Sequence, residues 1–334
     1  MPTIAVELGD RSYPVLIGRD NLDRLDRLVV KETGTGRLFV FFDTQFYALH
    51  GAHLLASITL PKERITDFSL PPGEESKSPE MLTELYNFLL SERISRTDFI
   101  LACGGGVTTD LVGYTASTVL RGINWGSVPT TLVGMVDAGI GGKTGINHHL
   151  GKNLIGAFWQ PRFVWANIDH LTTLPPREIV SGLGEIIKYA ALEGEPLMTK
   201  LRRYLSHGDL YALDTLAEII SISARCKARY VSRDERDMGP RMYLNFGHTF
   251  GHAIETSLGY EHLLHGETVI LGIRAALELE TLVNPRNRHS LAGFLDLLQL
   301  LMSLVPYHDL DADLIYESMW SDKKKDQSIL RIIV

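Results

Sequence analysis

Two halves of different periodicity predict the fold class: an α/β N-terminal domain with a mostly parallel sheet, then an all-α C-terminal domain, meeting near residue 175. Up to that point short apolar runs alternate with helical segments and glycine-rich connections; beyond it apolar residues recur almost continuously at helical spacing. A chain of 334 residues also exceeds what one core usually serves, which suits domains at 1–175 and 176–334.

Taken in order, Ile4-Ala5-Val6-Glu7-Leu8 and Tyr13-Pro14-Val15-Leu16-Ile17-Gly18 flank Gly9 and Ser12 and predict an antiparallel hairpin. Arg37-Leu38-Phe39-Val40-Phe41-Phe42-Asp43 is a continuous apolar run ending in an acid, as a strand buried on both faces reads. Asp43 then stands at a strand's carboxyl end, where open α/β sheets bind ligands, or it caps the next helix; both readings are open. Residues 72–78 form a turn before a helix at 79–90. The strand Asp98-Phe99-Ile100-Leu101-Ala102-Cys103 runs into Gly104-Gly105-Gly106-Val107-Thr108-Thr109-Asp110. Three glycines there let the backbone approach a diphosphate, with the helix N-terminus supplying amide donors. The wording is neither G-x-G-x-x-G nor a P-loop.

Ser127-Val128-Pro129-Thr130-Thr131 is a further strand end. Residues 136–147 and 151–158 read as two long glycine-rich loops carrying Lys143 and Lys152, which are either solvated surface charges or an anion site. Leu171-Thr172-Thr173-Leu174-Pro175-Pro176 closes the alternating half, since threonine suits a cap and proline a first helical turn. Helices are expected at 177–192, 196–205, 210–233, 246–258, 267–283 and 291–304. Residues 322–331 are a charge run of the kind that makes a solvated face, and 329–334 are apolar and strand-like.

Composition excludes several classes of function. A net charge of -7 gives no basic field for nucleic acid, so an anionic ligand must be met by a local cluster of lysines and arginines. The two cysteines, Cys103 and Cys226, lie in apolar or helical contexts and suggest a reduced, cytoplasmic protein without a disulfide framework. The chain enters strand-like sequence at once, so no signal peptide is expected, and no apolar run is as long as a membrane span.

The densest chemistry lies in Leu244-Asn245-Phe246-Gly247-His248-Thr249-Phe250-Gly251-His252-Ala253-Ile254-Glu255 and in Leu264-His265-Gly266-Glu267. His248 and His252 are four apart and project from one helix face. Upstream, Gly184-Glu185-Ile186-Ile187-Lys188-Tyr189 puts a carboxylate and an ammonium three apart on one face. One carboxylate and two imidazoles with a position left open is the donor set of catalytic zinc; the plain alternative is the polar rim of an amphipathic helix. Glycines inside helices cost about 1 kcal/mol each against alanine, so Gly247, Gly251 and Gly266 imply that something approaches the backbone closely.

Together these segments resemble the 3-dehydroquinate synthases of the sugar phosphate cyclase group, over about residues 70 to 331. The motifs are Pro-Gly-Glu-Glu-Ser-Lys-Ser at 72–78, Gly-Gly-Gly-Val at 104–107 with Asp110, Arg121-Gly122, and Val-Pro-Thr-Thr at 128–131. Val-Asp-Ala at 136–138, Gly-Gly-Lys-Thr at 141–144 and Gly-Lys-Asn-Leu-Ile-Gly-Ala-Phe at 151–158 follow. The series ends with Glu-Ile-Ile-Lys-Tyr at 185–189, Asp-Glu-Arg at 234–236, the two histidine motifs, and Asp-Lys-Lys at 322–324. Departures from the family's wording are Gln45, Thr109, Ser328 and the stretch 134–139, which leans towards cyclases of sedoheptulose 7-phosphate.

The resemblance implies an NAD-binding Rossmann-like domain, a helical domain that binds Zn2+ or Co2+, an active site in the cleft between domains, and a homodimer. By motif position it implies Glu185, His248 and His265 as metal ligands. NAD contacts would be Asp43, Glu74, Lys77, Gly105, Gly106, Asp110, Thr130, Thr131, Lys152, Thr173, Leu174 and Glu178. Substrate and catalytic groups would be Arg121, Asp137, Lys143, Asn153, Lys188, Lys227, Arg241, Asn245, His252 and a lysine of the pair Lys323 and Lys324. The implied substrate, 3-deoxy-D-arabino-heptulosonate 7-phosphate, carries a carboxylate and a phosphate, which explains convergent basic groups in an acidic protein. His252, one turn from His248, would move a proton on a substrate hydroxyl. Lys227, Arg241 and Asn245 beside His252 favour a carboxylate-bearing substrate. An amino analogue fits the same groups; a cyclase of sedoheptulose 7-phosphate and a metal-dependent polyol dehydrogenase are the other readings.

Overall fold

The seven-stranded sheet at the centre of the first unit is ordered β1 (Thr3–Val6), β2 (Tyr13–Gly18), β9 (Val164–Asn167), β6 (Trp125–Pro129), β5 (Phe99–Gly104), β3 (Leu38–Asp43) and β4 (Ile65–Leu70), and all its pairs are parallel except β1 with β2. The computed structural model describes residues 3–259, 262–306, 309–321 and 332–333. The chain forms two compact units: Met1–Thr173 with Lys227–Arg236, and Leu174–Cys226 with Asp237–Val334.

In the first unit β1 (Thr3–Val6) and β2 (Tyr13–Gly18) form the expected hairpin. They are followed by α1 (Leu22–Thr33), β3 (Leu38–Asp43), α2 (Thr44–Phe46), a π-turn at Tyr47–Gly51, α3 (Ala52–Ala56) and β4 (Ile65–Leu70). Then come α4 (Pro79–Ser91), β5 (Phe99–Gly104), α5 (Gly106–Thr118), β6 (Trp125–Pro129), β7 (Lys143–His148), β8 (Gly151–Phe158) and β9 (Val164–Asn167).

Strand alternation builds two cores. Leu38, Val40 and Phe42 of β3 pack with Leu25, Val29, Phe46 and Leu54 on one side of the sheet. Phe39 and Phe41 pack with Leu85, Leu89, Leu111 and Val112 on the other. This is why residues 38–42 read as an unbroken apolar run: successive side chains enter opposite cores. From β3 the chain goes outward to β4, whereas from β5, on β3's other side, it goes to β6. The strand order therefore reverses between β3 and β5, and the crevice at their carboxyl ends is the ligand position of such sheets.

Gly134–Ala138 is a helical turn, and from Lys143 to Phe158 the glycine-rich stretches expected as loops form instead an antiparallel hairpin, β7 with β8. Gly145 and Gly156 face each other in its register. A Cβ on Gly145 would lie 2.5 Å from the Ile155 oxygen, and one on Gly156 would lie 2.2 Å from the Thr144 oxygen. Glycine marks close strand approach there, not irregular chain.

The second unit is helical: α6 (Pro176–Glu193), α7 (Leu197–His207), α8 (Leu213–Arg233), α9 (His248–Ser257), α10 (His265–Val283), α11 (Arg288–Met302) and α12 (Ala312–Ser321). From Lys227 onward the residues of α8 count with the first unit. Helix α10 packs on α6 and α9 through glycine. A Cβ on Gly184 would stand 2.0 Å from the Gly266 oxygen, one on Gly266 1.7 Å from the Ser181 oxygen, and one on Gly272 2.1 Å from the Gly247 oxygen. Gly247 itself has φ +79°, which side chains rarely adopt. Among the described residues no helix is long and apolar enough to cross a membrane.

Candidate active site

In the second unit the glycine crossings decide which side chains meet. Each is next to a chemistry-bearing residue: Gly184 precedes Glu185, Gly247 precedes His248, and Gly266 follows His265. Where helix backbones touch, adjacent side chains are brought within a few ångströms. Glu185 is 1% exposed, and its Oε1 lies 3.2 Å from His265 Nε2 and 3.6 Å from His248 Nε2. Two donors held about 2.1 Å from one ion at tetrahedral angles stand about 3.4 Å apart, so both separations suit a shared divalent cation.

The tautomers also suit it. His248 Nδ1 donates to the Phe246 carbonyl at 3.2 Å, and His265 Nδ1 faces Glu255 Oε1 at 3.0 Å. Each ring spends Nδ1 on an acceptor and presents Nε2 to Glu185. Lys188, 1% exposed, donates to Glu185 Oε2. Burial alone would raise the Glu185 carboxyl, but Lys188 and the two histidines outweigh it and hold it well below the usual range. Burial would lower His265, yet Glu185 and Glu255 push it up to about 10 in the protein alone. His252 has its ring centroid 5.4 Å from that of His248 and 5.7 Å from that of His265. Arg241 is 1% exposed, and Asn245 is exposed at the end of a 3-10 turn. The Leu174 oxygen accepts from Tyr211, and burial together with Glu267 raises Glu178 against the pull of Arg177.

The first unit assembles a second set at the carboxyl ends of β3 and β5. Lys77, 4% exposed, donates to Asp110 Oδ2 and to Asn153 Oδ1, both at 2.5 Å. Burial works against the ammonium, but Asp110 and Glu74 more than offset it and raise Lys77. Asn147 ties the group together, its Nδ2 donating to Glu74 Oε1 and its Oδ1 accepting from Asn153 N. Asn153 has φ 58°, so its backbone is strained into place. Asn153 thus shares one hydrogen-bonded group with Glu74, Lys77, Asp110 and Asn147.

Asp43 Oδ1 accepts from the amides of Gln45 and Phe46, so the capping reading of this residue holds alongside its place at the strand end. Gly105 caps α5 without a side chain, and a Cβ there would press 3.0 Å from Thr131 Cγ2; one on Gly106 would lie 3.1 Å from Ala138 Cβ. The Thr130 amide donates to the Gly104 oxygen at 2.9 Å. Lys227 Nζ donates to Asp137 Oδ1 at 2.8 Å. Thr173 accepts from His50 Nε2 at 2.8 Å and donates to the His170 oxygen. Lys143 opens β7, Lys152 lies in β8, and Arg121 is exposed with φ 67°. Lys323 and Lys324 lie outside the described residues.

Sequence reading left three supporting groups unassigned. Glu255 was within reach, since it lies seven residues after His248 and three after His252, on the same helix face. Glu267, fully buried, accepts from the Leu264 amide and from Arg177, which also donates to the His262 oxygen. Asn147 carried no signal in a stretch read as loop.

Known proteins share this fold. The structure of 2-deoxy-scyllo-inosose synthase complexed with carbaglucose-6-phosphate, NAD+ and Co2+ matches with a TM-score of 0.86 at 24% identity, covering 99% of this chain and 89% of that one. The 2-epi-5-epi-valiolone synthase of Streptomyces hygroscopicus subsp. jinggangensis, solved with NAD+ and Zn2+, matches with a TM-score of 0.79 at 26% identity, over 92% and 85%. The fold is that of the sugar phosphate cyclases. The family model for the 3-dehydroquinate synthase N-terminal region matches residues 67–181, and that for the C-terminal region matches 182–325. A 3-dehydroquinate synthase of Pseudomonas savastanoi pv. phaseolicola is 40% identical over 337 residues, covering 100% of this chain and 90% of that protein. The chain belongs to the 3-dehydroquinate synthase family.

Proposed function

We propose that this chain converts 3-deoxy-D-arabino-heptulosonate 7-phosphate into 3-dehydroquinate and phosphate, with NAD reduced and reoxidised within each turnover. The observation that carries the reading is the buried Glu185 carboxylate with His248 and His265 at ion-sharing distances, in a chain alike along its whole length to named 3-dehydroquinate synthases. When bound, NAD would take up and return one hydride, and a Zn2+ or Co2+ ion would acidify the substrate hydroxyl that gives it up.

The chain's own groups divide the remaining work. Glu185, His248 and His265 would hold the ion, and Lys188 holds Glu185 in place. The α5 N-terminus with Gly105 and Gly106 offers amides to a diphosphate, flanked by Asp43, Glu74, Lys77, Asp110, Thr130, Thr131, Lys152, Thr173, Leu174 and Glu178. Arg121, Lys143, Lys227, Arg241 and a lysine of the 323–324 pair would meet the substrate's anionic groups, while Asp137, Asn153 and Asn245 fix hydroxyls. His252 would carry a hydroxyl proton. A homodimer in the cytoplasm goes with the reading; Cys103 and Cys226 are both buried and neither is in a disulfide, which suits a reducing compartment.

The test is purified chain with the heptulosonate phosphate, Zn2+ or Co2+, and NAD at catalytic concentration. Phosphate released in step with substrate, without net NADH, supports the reading. Net NADH would point to a dehydrogenase, and turnover only with sedoheptulose 7-phosphate to another cyclase. Glu185→Gln should abolish the phosphate release.

A further inference from the structure

We infer that Glu255 is a positioning residue for the metal centre: its carboxylate fixes the His265 ring so that Nε2 is the ligating nitrogen, and it strengthens that nitrogen as a donor. The inference rests on the Glu185–His248–His265 reading above. Glu255 is 4% exposed, and its Oε1 lies 3.0 Å from His265 Nδ1, while Nε2 of the same ring lies 3.2 Å from Glu185 Oε1. The two histidines are oriented unequally. His248 Nδ1 donates to a neutral carbonyl, that of Phe246, whereas His265 Nδ1 meets a full carboxylate. A carboxylate that accepts the Nδ1 proton draws charge towards the ring and raises the basicity of the opposite nitrogen.

His252, Glu255 and His265 also form a second group whose ligand atoms lie within 4.8 Å of one another. Glu255 is not a ligand there on this account, because His265 cannot use Nδ1 for an ion while that atom donates to Glu255. The side chain acts through His265 and not on the ion itself.

The test uses the full chain, stripped with a chelator and titrated with Co2+ in competition with a chromophoric chelator. Glu255→Gln keeps the shape and an acceptor oxygen but removes the charge. The expected result is a Kd for Co2+ raised about 10- to 100-fold together with a shifted Co2+ d–d absorption band. Wild-type affinity and an unmoved band would overturn the inference. Weakened binding with the band unmoved would also overturn it, since that marks loosened packing only. Should Glu255→Gln not fold, Glu255→Asp, which keeps the charge one methylene short, is expected to give an intermediate Kd and a smaller shift; a wild-type Kd and band would overturn it. Glu185→Gln separates the two levels: if it binds Co2+ as tightly as wild type, the ligand assignment itself fails, whatever Glu255 does.

Discussion

Gly184→Ala tests whether the backbone crossing of α6 and α10 sets the ligand distances. The new Cβ would lie 2.0 Å from the Gly266 oxygen, 2.6 Å from its carbonyl carbon and 2.8 Å from its Cα, all backbone atoms that no rotamer can move. Real Cβ contacts stop at 3.0 Å, so the helices must open by at least about 1 Å at the point where Glu185 and His265 leave them. That opening takes the 3.2 Å separation of Glu185 Oε1 and His265 Nε2 beyond 4 Å. Ligand distances tolerate only about 0.2 Å, so one ion no longer reaches both groups. We expect Zn2+ or Co2+ affinity to fall at least about 100-fold, with a stability loss of about 1–3 kcal/mol for an overpacked contact. Chelator competition measures the first and thermal unfolding the second. Gly293→Ala in α11 is the control, because its Cβ would meet nothing nearer than 3.7 Å; it should leave affinity unchanged and stabilise by up to about 1 kcal/mol. Wild-type metal affinity in Gly184→Ala would show that the crossing does not govern the site.

Three further outcomes are expected. His170 is lowered to about 3, first by burial and then by His50, so it stays neutral in the fold while the unfolded chain takes up a proton below about 6.5. Its contribution is complete above pH 6.5 and is lost progressively as pH falls from there towards 3, costing about 2 kcal/mol at pH 5. Urea unfolding from pH 7 to 4.5 should show this slope in wild type and a flatter one in His170→Phe; equal slopes would contradict the assignment. Asp110→Asn should cost about 1–3 kcal/mol in urea unfolding and weaken NAD binding, because Lys77 keeps Asn153 but loses its charged partner. His252→Ala should lower kcat about 10²- to 10⁴-fold while Co2+ affinity stays near wild type; unchanged turnover would remove His252 from the proton transfer.

How much of this was legible in sequence depends on whether a signal was local. The β3 run of alternating core residues, the His248 and His252 spacing, and the Glu185 and Lys188 pair are local, and each was readable. The short strands β4 and β9 were not, because Ile65–Leu70 carries polar residues and Val164–Asn167 is four residues long, so neither shows a period. The 143–158 region was misread because glycine has two causes, left-handed backbone and close approach, and Gly145 opposite Gly156 belongs to the second. Nor does anything local to Asn153 announce that Lys77, far away in sequence, donates to its side-chain oxygen.

The same double meaning of glycine explains why the site is where it is. In α6 and α10 glycine lowers helix propensity, and the loss is offset only if tertiary contact supplies something that alanine could not; Gly247, at the N-cap of α9, answers in addition to its positive φ. Here it supplies backbone-to-backbone approach at Gly184 with Gly266 and at Gly247 with Gly272, and the proposed ligands Glu185, His248 and His265 are chain neighbours of three of those four. A carboxylate and an imidazole on helices about 8–10 Å apart, the usual spacing, would meet only through extended and mobile side chains. At glycine crossings the buried Glu185 meets the partly buried His248 and His265 directly, and Lys188, Phe246 and Glu255 can then fix their orientation from behind. A helix rich in glycine beside histidine or glutamate is therefore a stronger sign of a shared ligand than the histidine spacing alone.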